Sequence, residues 1–320
     1  MILSVSRRTD VPAFYSDWFF NRVRDGFLYV RNPLNAHQIS RINLSPEVVD
    51  CIVFWSKNPT PMLGRLDELD AYSYYFQYTI TGYGTDIEPS LPDKREVLIP
   101  TFRRLSEQIG KERVIWRYDP IALNERYSLE YHERAFRQIA DSLAGYTERA
   151  VISFVDLYAK VQRNTAKQEL RSPAQGEMLE LAERLVQLAG ERGLVVESCA
   201  EMIDLSSVGV EHGSCIDRRL IERLLGCRLE VGKDKNQRQE CGCFESVEVG
   251  TYNTCKHGCL YCYANFNQAL VTQGAGLYDP ASPLLCGTVG DSDKITERKV
   301  KSLKSRKEPE DSQISLWDDA

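Results

Sequence analysis

Short apolar runs rich in β-branched and aromatic residues alternate, along the first two thirds of the chain, with longer segments of helical rhythm. The runs Ile2–Val5, Cys51–Trp55, Tyr74–Thr81, Arg113–Tyr118, Ala150–Val155 and Leu194–Ser198 predict strands, and Ser246–Val249 predicts a seventh. Met178, Leu181, Leu185 and Leu188 keep a helical spacing that opens after Ser172-Pro173 and closes at Gly190 and Gly193. A second helix is predicted over His132–Leu143. Strand and helix in turn are the mark of a parallel sheet with crossover helices. The expected fold is α/β, a partial or complete (β/α) barrel.

Each strand runs into a polar cluster. The clusters are Ser6-Arg7-Arg8-Thr9-Asp10, Trp55-Ser56-Lys57-Asn58, Thr79-Ile80-Thr81-Gly82-Tyr83, Arg117-Tyr118-Asp119-Pro120 and Ser153-Phe154-Val155-Asp156. In a parallel barrel the carboxyl ends of the strands share one face, and active sites lie there. Arg7, Lys57, Arg117, Asp119 and Asp156 are therefore candidate catalytic residues, with Arg8 and Ser153 as candidate ligand contacts. Asp10 before Val11-Pro12 and Asn58 before Pro59 also read as helix caps. Trp55, Tyr83, Trp116 and Tyr118 could stack on a planar ligand or fill the core.

The 320 residues include 42% hydrophobic and 27% charged side chains, enough for a sizeable core, and no stretch approaches the roughly 18 apolar residues of a membrane span. The N-terminus lacks the charge order of a signal peptide, so a cytoplasmic protein is expected. A net charge of −6 argues against a uniformly basic surface and leaves room for a local basic groove. Nine of the ten cysteines fall in the last 122 residues; in a reducing compartment this favours metal over disulfides.

Three of them stand at Cys-x3-Cys-x2-Cys: Cys255, Cys259 and Cys262, with Tyr261 before the last. Three thiolates from one tight loop can hold three irons of a 4Fe–4S cubane and leave the fourth open. Gly258 suits a sharp turn. Structural zinc more often takes two Cys-x2-Cys pairs, a different rhythm. His257, inside the loop, reads as a packing or hydrogen-bonding residue.

At these residues the sequence resembles the radical S-adenosylmethionine (SAM) enzymes, and the run Cys-x-Tyr-Cys-Tyr-Ala-Asn is most similar to the branch of spore photoproduct lyase. The whole chain resembles a bacterial domain-of-unknown-function family. The resemblance implies a 4Fe–4S cluster on Cys255, Cys259 and Cys262, S-adenosylmethionine on its open iron, and an electron donor of flavodoxin or ferredoxin type. It implies radical hydrogen abstraction, with DNA or a modified or damaged base as substrate. Arg7, Arg8, Lys57 and Arg117 would then supply positive charge to the cofactor, and Asp119 and Asp156 would take its ammonium or ribose; Tyr261 would lie beside it. In that family the cysteine loop usually follows the first strand, whereas here it comes last, so a circularly permuted barrel is expected. A structural iron–sulfur or zinc protein acting as a nucleic-acid adaptor, and radical chemistry on a peptide or metabolite, are the alternatives.

Cys199, Cys215, Cys241 and Cys243 lie at loop and helix-start positions and could hold a second iron–sulfur cluster or a zinc ion; a helix is predicted over Cys215–Leu225. Cys51 and Cys227 sit in apolar runs and read as core thiols.

From about Gly287 the hydrophobic rhythm is lost and a disordered tail is expected. Lys294–Lys307 carries seven basic residues against Glu297 alone, which could steer the chain to nucleic acid. Near the end, Gln313-Ile314-Ser315-Leu316-Trp317 resembles the bacterial sliding-clamp-binding peptide, with Gln313, Leu316 and Trp317 as anchors. The expected layout is barrel strands and helices over 1–200, a cysteine-rich segment over 201–245, the cluster strand and loop over 246–286, and the tail over 287–320.

Overall fold

A computed structural model describes residues 1–305. Its strands in chain order are β1 (Ile2–Val5), β2 (Phe27–Asn32), β3 (Asn35–Asn43), β4 (Cys51–Ser56), β5 (Tyr74–Thr79), β6 (Val114–Ile121), β7 (Arg149–Phe154), β8 (Val195–Ser198), β9 (Glu211–His212), β10 (Val247–Glu248) and β11 (Lys294–Glu297). Its α-helices are α1 (Val11–Phe14), α2 (Ser16–Asp25), α3 (Ile99–Ile109), α4 (Leu129–Leu143), α5 (Ala159–Thr165), α6 (Gln175–Gly190), α7 (Arg218–Leu225) and α8 (Gln268–Gly276). Eight strands form one sheet in the order β10-β1-β4-β5-β6-β7-β8-β9, all paired in parallel. Among the described residues no ladder joins β9 to β10, so the sheet is open.

Successive strand residues point to opposite faces, and both faces are buried. On one face Leu3, Phe54, Phe76, Trp116 and Ile152 pack with Phe19, Phe102, Phe136, Leu181 and Leu185 from the helices. Phe54 and Phe76 stack with ring centroids 4.7 Å apart across neighbouring strands. Leu185 is fully buried there, and Leu185→Ala would cost about 2–5 kcal/mol. On the other face Ile2, Val53, Tyr75, Ile115 and Val151 meet Cys215, Ile216, Leu220 and Ile221. The cysteine-rich segment thus covers the face that the helices leave bare. Burial on both sides is why these strands read as near-continuous apolar runs.

All seven sequence-predicted strands exist, with ends moved by one to three residues. The predicted helix over Cys215–Leu225 starts later, at Arg218, because the Asp217 carboxylate accepts from the Arg219 and Leu220 amides and caps it there. Cys215 is left in the preceding loop.

A second sheet, β11-β3-β2, has no counterpart in the sequence reading. The expected tail begins inside it: residues 287–305 are part of the fold. Lys294–Glu297 pairs in parallel with β3, the Arg31 guanidinium bridges Asp293 at 2.8 Å, and Arg41 bridges Glu297 at 3.0 Å. Ser302 and Leu303 bond the buried Asp50 carboxylate. β2 and β3 bury only Leu28, Ile39 and Ile42, too few for a hydrophobic rhythm to stand out, and β11 is exposed throughout and held by backbone pairing and charge. Gln313, Leu316 and Trp317 lie outside the described residues.

A candidate active site between two cysteine groups

The polar strand ends meet at one cavity of about 710 Å³. Its lining takes Ser6 to Asp10 after β1, Trp55 to Lys57 from β4, Thr79 from β5, Arg117 and Asp119 from β6, and Ser153 to Asp156 from β7. Cys255, Cys259 and Cys262 stand on its wall, and so do Cys199, Cys215, Cys241 and Cys243. All the catalytic and cofactor candidates of the sequence reading, Arg7, Arg8, Lys57, Arg117, Asp119, Ser153, Asp156 and Tyr261, line this one space.

The triple-cysteine loop follows β10 directly, beside β1. Gly258 has φ +70°, the left-handed turn expected of it. The loop is held from three sides. The Leu260 amide donates to Ile87 O at 3.0 Å, Ser90 N to His257 O at 3.2 Å, and the Tyr15 hydroxyl to Thr254 O at 2.6 Å. Burial pushes the Cys255 thiol well up and Cys259 up to about 12. A cation bound there would displace those protons.

Beneath Tyr261 lies a buried charge network that the sequence did not announce. Lys57 Nζ donates to Glu88 Oε1 and to the Tyr261 hydroxyl, both at 2.8 Å, and Tyr261 in turn donates to Glu88. Lys94 Nζ and Thr81 Oγ1 donate to Glu88 Oε2 at 2.6 and 2.8 Å. Burial alone would raise the Glu88 pKa, but the two ammonium groups outweigh it and hold the carboxyl down at about 2. Burial likewise opposes the Lys57 charge, and Glu88 overcomes it, lifting Lys57 to about 12. Burial prevails at Lys94, whose pKa is lowered. Lys57 is thus committed to fastening the cysteine loop. Glu88 sits in a loop after β5 and Lys94 opens a short π-helical turn, Lys94–Leu98, ahead of α3, where no periodic signal marks them.

The second cysteine group forms a contact chain. Cys199 and Cys215 sulfurs lie 2.9 Å apart, the Arg117 guanidinium donates to Cys215 Sγ at 2.6 Å, and the Ile216 amide donates to Cys243 Sγ at 3.4 Å. Hydrogen bonds from Cys215 and Cys241 hold the Cys243 thiol far below its ordinary value, while the Cys199 bond pushes Cys215 up. The four thiols come from the end of β8, the loop before α7 and the 241–243 loop. Among the described residues, no three His, Cys, Asp or Glu side chains converge on one point that would seat a single metal ion. The quartet thiols meet one another, so side-chain rotation must precede any metal there. Cys51 is fully buried, as expected of a core thiol.

Other candidates are partly spoken for. Arg117 forks onto Asp119, and Ser153 Oγ reaches Asp119 at 3.4 Å. Asp156 pairs with Arg238. Trp55 lies between the Arg7 and Arg117 guanidinium groups, 4.9 and 5.4 Å from its ring. Of the four aromatics proposed for stacking, Trp55 alone lines the cavity; Tyr83, Trp116 and Tyr118 are buried in the core. The exposed aromatics at the cavity are Tyr158, Tyr263 and Phe266. Glu201 also lines it, its carboxyl pushed up to about 7 by burial.

The stretch from β1 through the last cysteine of the loop matches a family model, that of a domain of unknown function (DUF1848), over residues 2–264. The chain belongs to this family. The DUF1848 match takes in both cysteine groups and every candidate strand end. Comparison with curated proteins finds no match, nor does comparison with solved structures.

Three polar atoms of the cavity lining are buried without a protein partner: Arg7 Nη2, Thr9 Oγ1 and His257 Nδ1. Such groups are costly unless something bonds them. With three thiols of one loop beside them, the donor set fits a thiolate-bound cluster carrying a polar organic ligand. No helix among the described residues is long and apolar enough to cross a membrane.

Proposed function

We propose that this protein is a radical S-adenosylmethionine enzyme, with Cys255, Cys259 and Cys262 holding a 4Fe–4S cluster at the wall of the large cavity. The observation that carries the reading is the joint placement of these thiols and the unpartnered Arg7 Nη2, Thr9 Oγ1 and His257 Nδ1 around one space. A cubane spreads its irons over separate corners, so its thiolates need not converge on one point. When bound, the cluster supplies an open iron and an electron, with which S-adenosylmethionine yields a carbon radical able to take a hydrogen atom from substrate.

The rest of the work falls to the chain. Lys57, Glu88 and Tyr261 fix the loop, so the thiols are presented in one arrangement. Arg7 and Thr9 offer donors to the carboxylate or hydroxyls of the bound ligand, and His257 offers a ring nitrogen. Trp55, clamped by two arginines, forms a rigid wall. Glu201 is a carboxyl within the cavity able to hold a proton near neutral pH. On this reading the parallel sheet is a partial (β/α) barrel entered at a shifted strand, with the cluster loop after β10 instead of after the first strand. The quartet Cys199, Cys215, Cys241 and Cys243 would hold a second thiolate-bound centre, an iron–sulfur cluster or zinc.

Anaerobic reconstitution with iron and sulfide, followed by EPR of the reduced protein with and without S-adenosylmethionine, tests this. A cluster signal that shifts on addition is expected. Zinc as the sole metal, or a signal blind to S-adenosylmethionine, overturns the proposal.

A further inference from the structure

A second cavity, of about 490 Å³, adjoins the first. The two share Arg7, Arg8, Gln237 and Tyr263, so they form one continuous depression running from the strand ends towards the β2–β3 hairpin. Its charges are unevenly satisfied. Arg31 is fully engaged, forked onto Asp293 with both contacts at 2.8 Å. The two carboxylates are also engaged: Glu248 accepts from Ser4 and Ser6 and from the Arg7 and Gly250 amides, and Asp234 from Asn236 N at 2.9 Å.

The donors are not. Arg8 lies with its guanidinium 4.7 Å from the Tyr252 ring centroid and has no carboxylate partner among the described residues. Arg298 is exposed, and among the described residues only its backbone amide is bonded, to Arg41 O. Ser246 Oγ and Arg7 Nη2 are buried without partners. Two guanidinium groups and a hydroxyl thus line one space with no side-chain hydrogen bond or ion pair to an acceptor among the described residues. A phosphate, with its tetrahedral oxygens and greater charge, can be gripped by guanidinium forks from several directions and suits them better than a planar carboxylate monoanion. Where the two cavities join, Tyr263 is 49% exposed, and Phe266 at 50% stands on the large cavity's lining. An exposed ring beside a phosphate site is what a nucleobase stacks on.

We infer that the second cavity is a phosphate subsite formed by Arg8, Arg298 and Ser246, and that the substrate of the large cavity is a nucleotide unit whose phosphate lies there. The word substrate rests on the proposed function; the subsite does not.

Fluorescence anisotropy of the purified full chain with a labelled single-stranded oligodeoxythymidylate tests the subsite, with thymidine monophosphate and inorganic phosphate as competitors. Arg8→Ala and Arg298→Ala each weaken binding by about tenfold and each lower the salt slope by about one. Arg137→Ala, on the outer side of α4, binds as wild type. An oligonucleotide bound more tightly than the monophosphate marks a polymeric substrate, and equal affinities mark a mononucleotide; both support the subsite. Inorganic phosphate competing as well as the monophosphate overturns the nucleotide assignment. No measurable binding, or binding that Arg8→Ala and Arg298→Ala leave unchanged, overturns the subsite itself. The assay needs no cluster, so its failure leaves the EPR experiment standing, and the reverse.

Discussion

His257 Nε2 lies 2.7 Å from Asp10 Oδ2, joining the middle of the cysteine loop to the end of the first strand across 247 residues of sequence. A carboxylate only accepts, so Nε2 carries the proton. Asp10 accepts as well from Ser56 Oγ and the Lys57 amide at 2.7 Å and from Ala13 N at 3.0 Å. One carboxylate thus fixes the ends of β1 and β4, the start of α1 and the cluster loop.

Asp10→Ala would leave these buried donors without an acceptor. It is expected to cost about 2–4 kcal/mol, since each unsatisfied buried donor carries a penalty of its own. Urea unfolding at neutral pH measures this; a midpoint unchanged from wild type would remove Asp10 from the centre of the site.

Glu88 is expected to be as sensitive. Glu88→Gln leaves Lys57 and Lys94 buried without a counter-charge, a change worth about 3–5 kcal/mol. The wild-type carboxyl is held down at about 2, from an ordinary value of 4.5, by the Lys57 and Lys94 ammonium groups, which outweigh its burial. Its contribution to stability is therefore full above about 4.5 and fades as pH falls towards 2. Urea midpoints at pH 7 and pH 3 check both points: the gap between wild type and Glu88→Gln should narrow in acid.

The second cysteine group can be counted. If it takes a second cubane, the reconstituted protein holds about eight irons per chain, and Cys241→Ala/Cys243→Ala holds about four. If it takes zinc, the double variant loses about one zinc and no iron. Metal content identical in the two proteins would leave the quartet as packed thiols.

The C-terminal peptide makes a separate claim. Binding of the full chain to purified sliding clamp, lost on deletion of Gln313 to Ala320, is the expected result. Full-length protein that fails to bind would withdraw the clamp as a partner.

What the sequence disclosed follows from how each element is held. β1, β4, β5, β6 and β7 are buried on both faces, and their apolar runs stand out; α4 and α6 bury one stripe, and the spacing of Met178, Leu181, Leu185 and Leu188 declares it. The polar ends of those strands were legible for the same reason, as the places where burial stops. β2 and β3 bury only Leu28, Ile39 and Ile42, and β11 is joined to them by backbone pairing and by Arg31–Asp293 and Arg41–Glu297, pairs whose members lie more than 250 residues apart. Nothing local marks such partners. Glu88, Lys94, Glu201 and Arg298 were missed because a residue outside the periodic elements earns its role from what the fold brings beside it. The aromatics erred the other way: Trp116 and Tyr118 lie within β6, and the pleat turns them to the helix-covered face.

The neighbour of β1 on its outer side is β10, paired as Leu3 with Val247 and Ser4 with Glu248. On the ribosome, that edge of the growing sheet stays unpaired while some 240 residues are made. The thiols of the cluster loop arrive last, at a sheet whose other strands are already in place. On the proposed reading, a metal held by Cys255, Cys259 and Cys262 would meet its ligands only after the seven other strands of the sheet have been made.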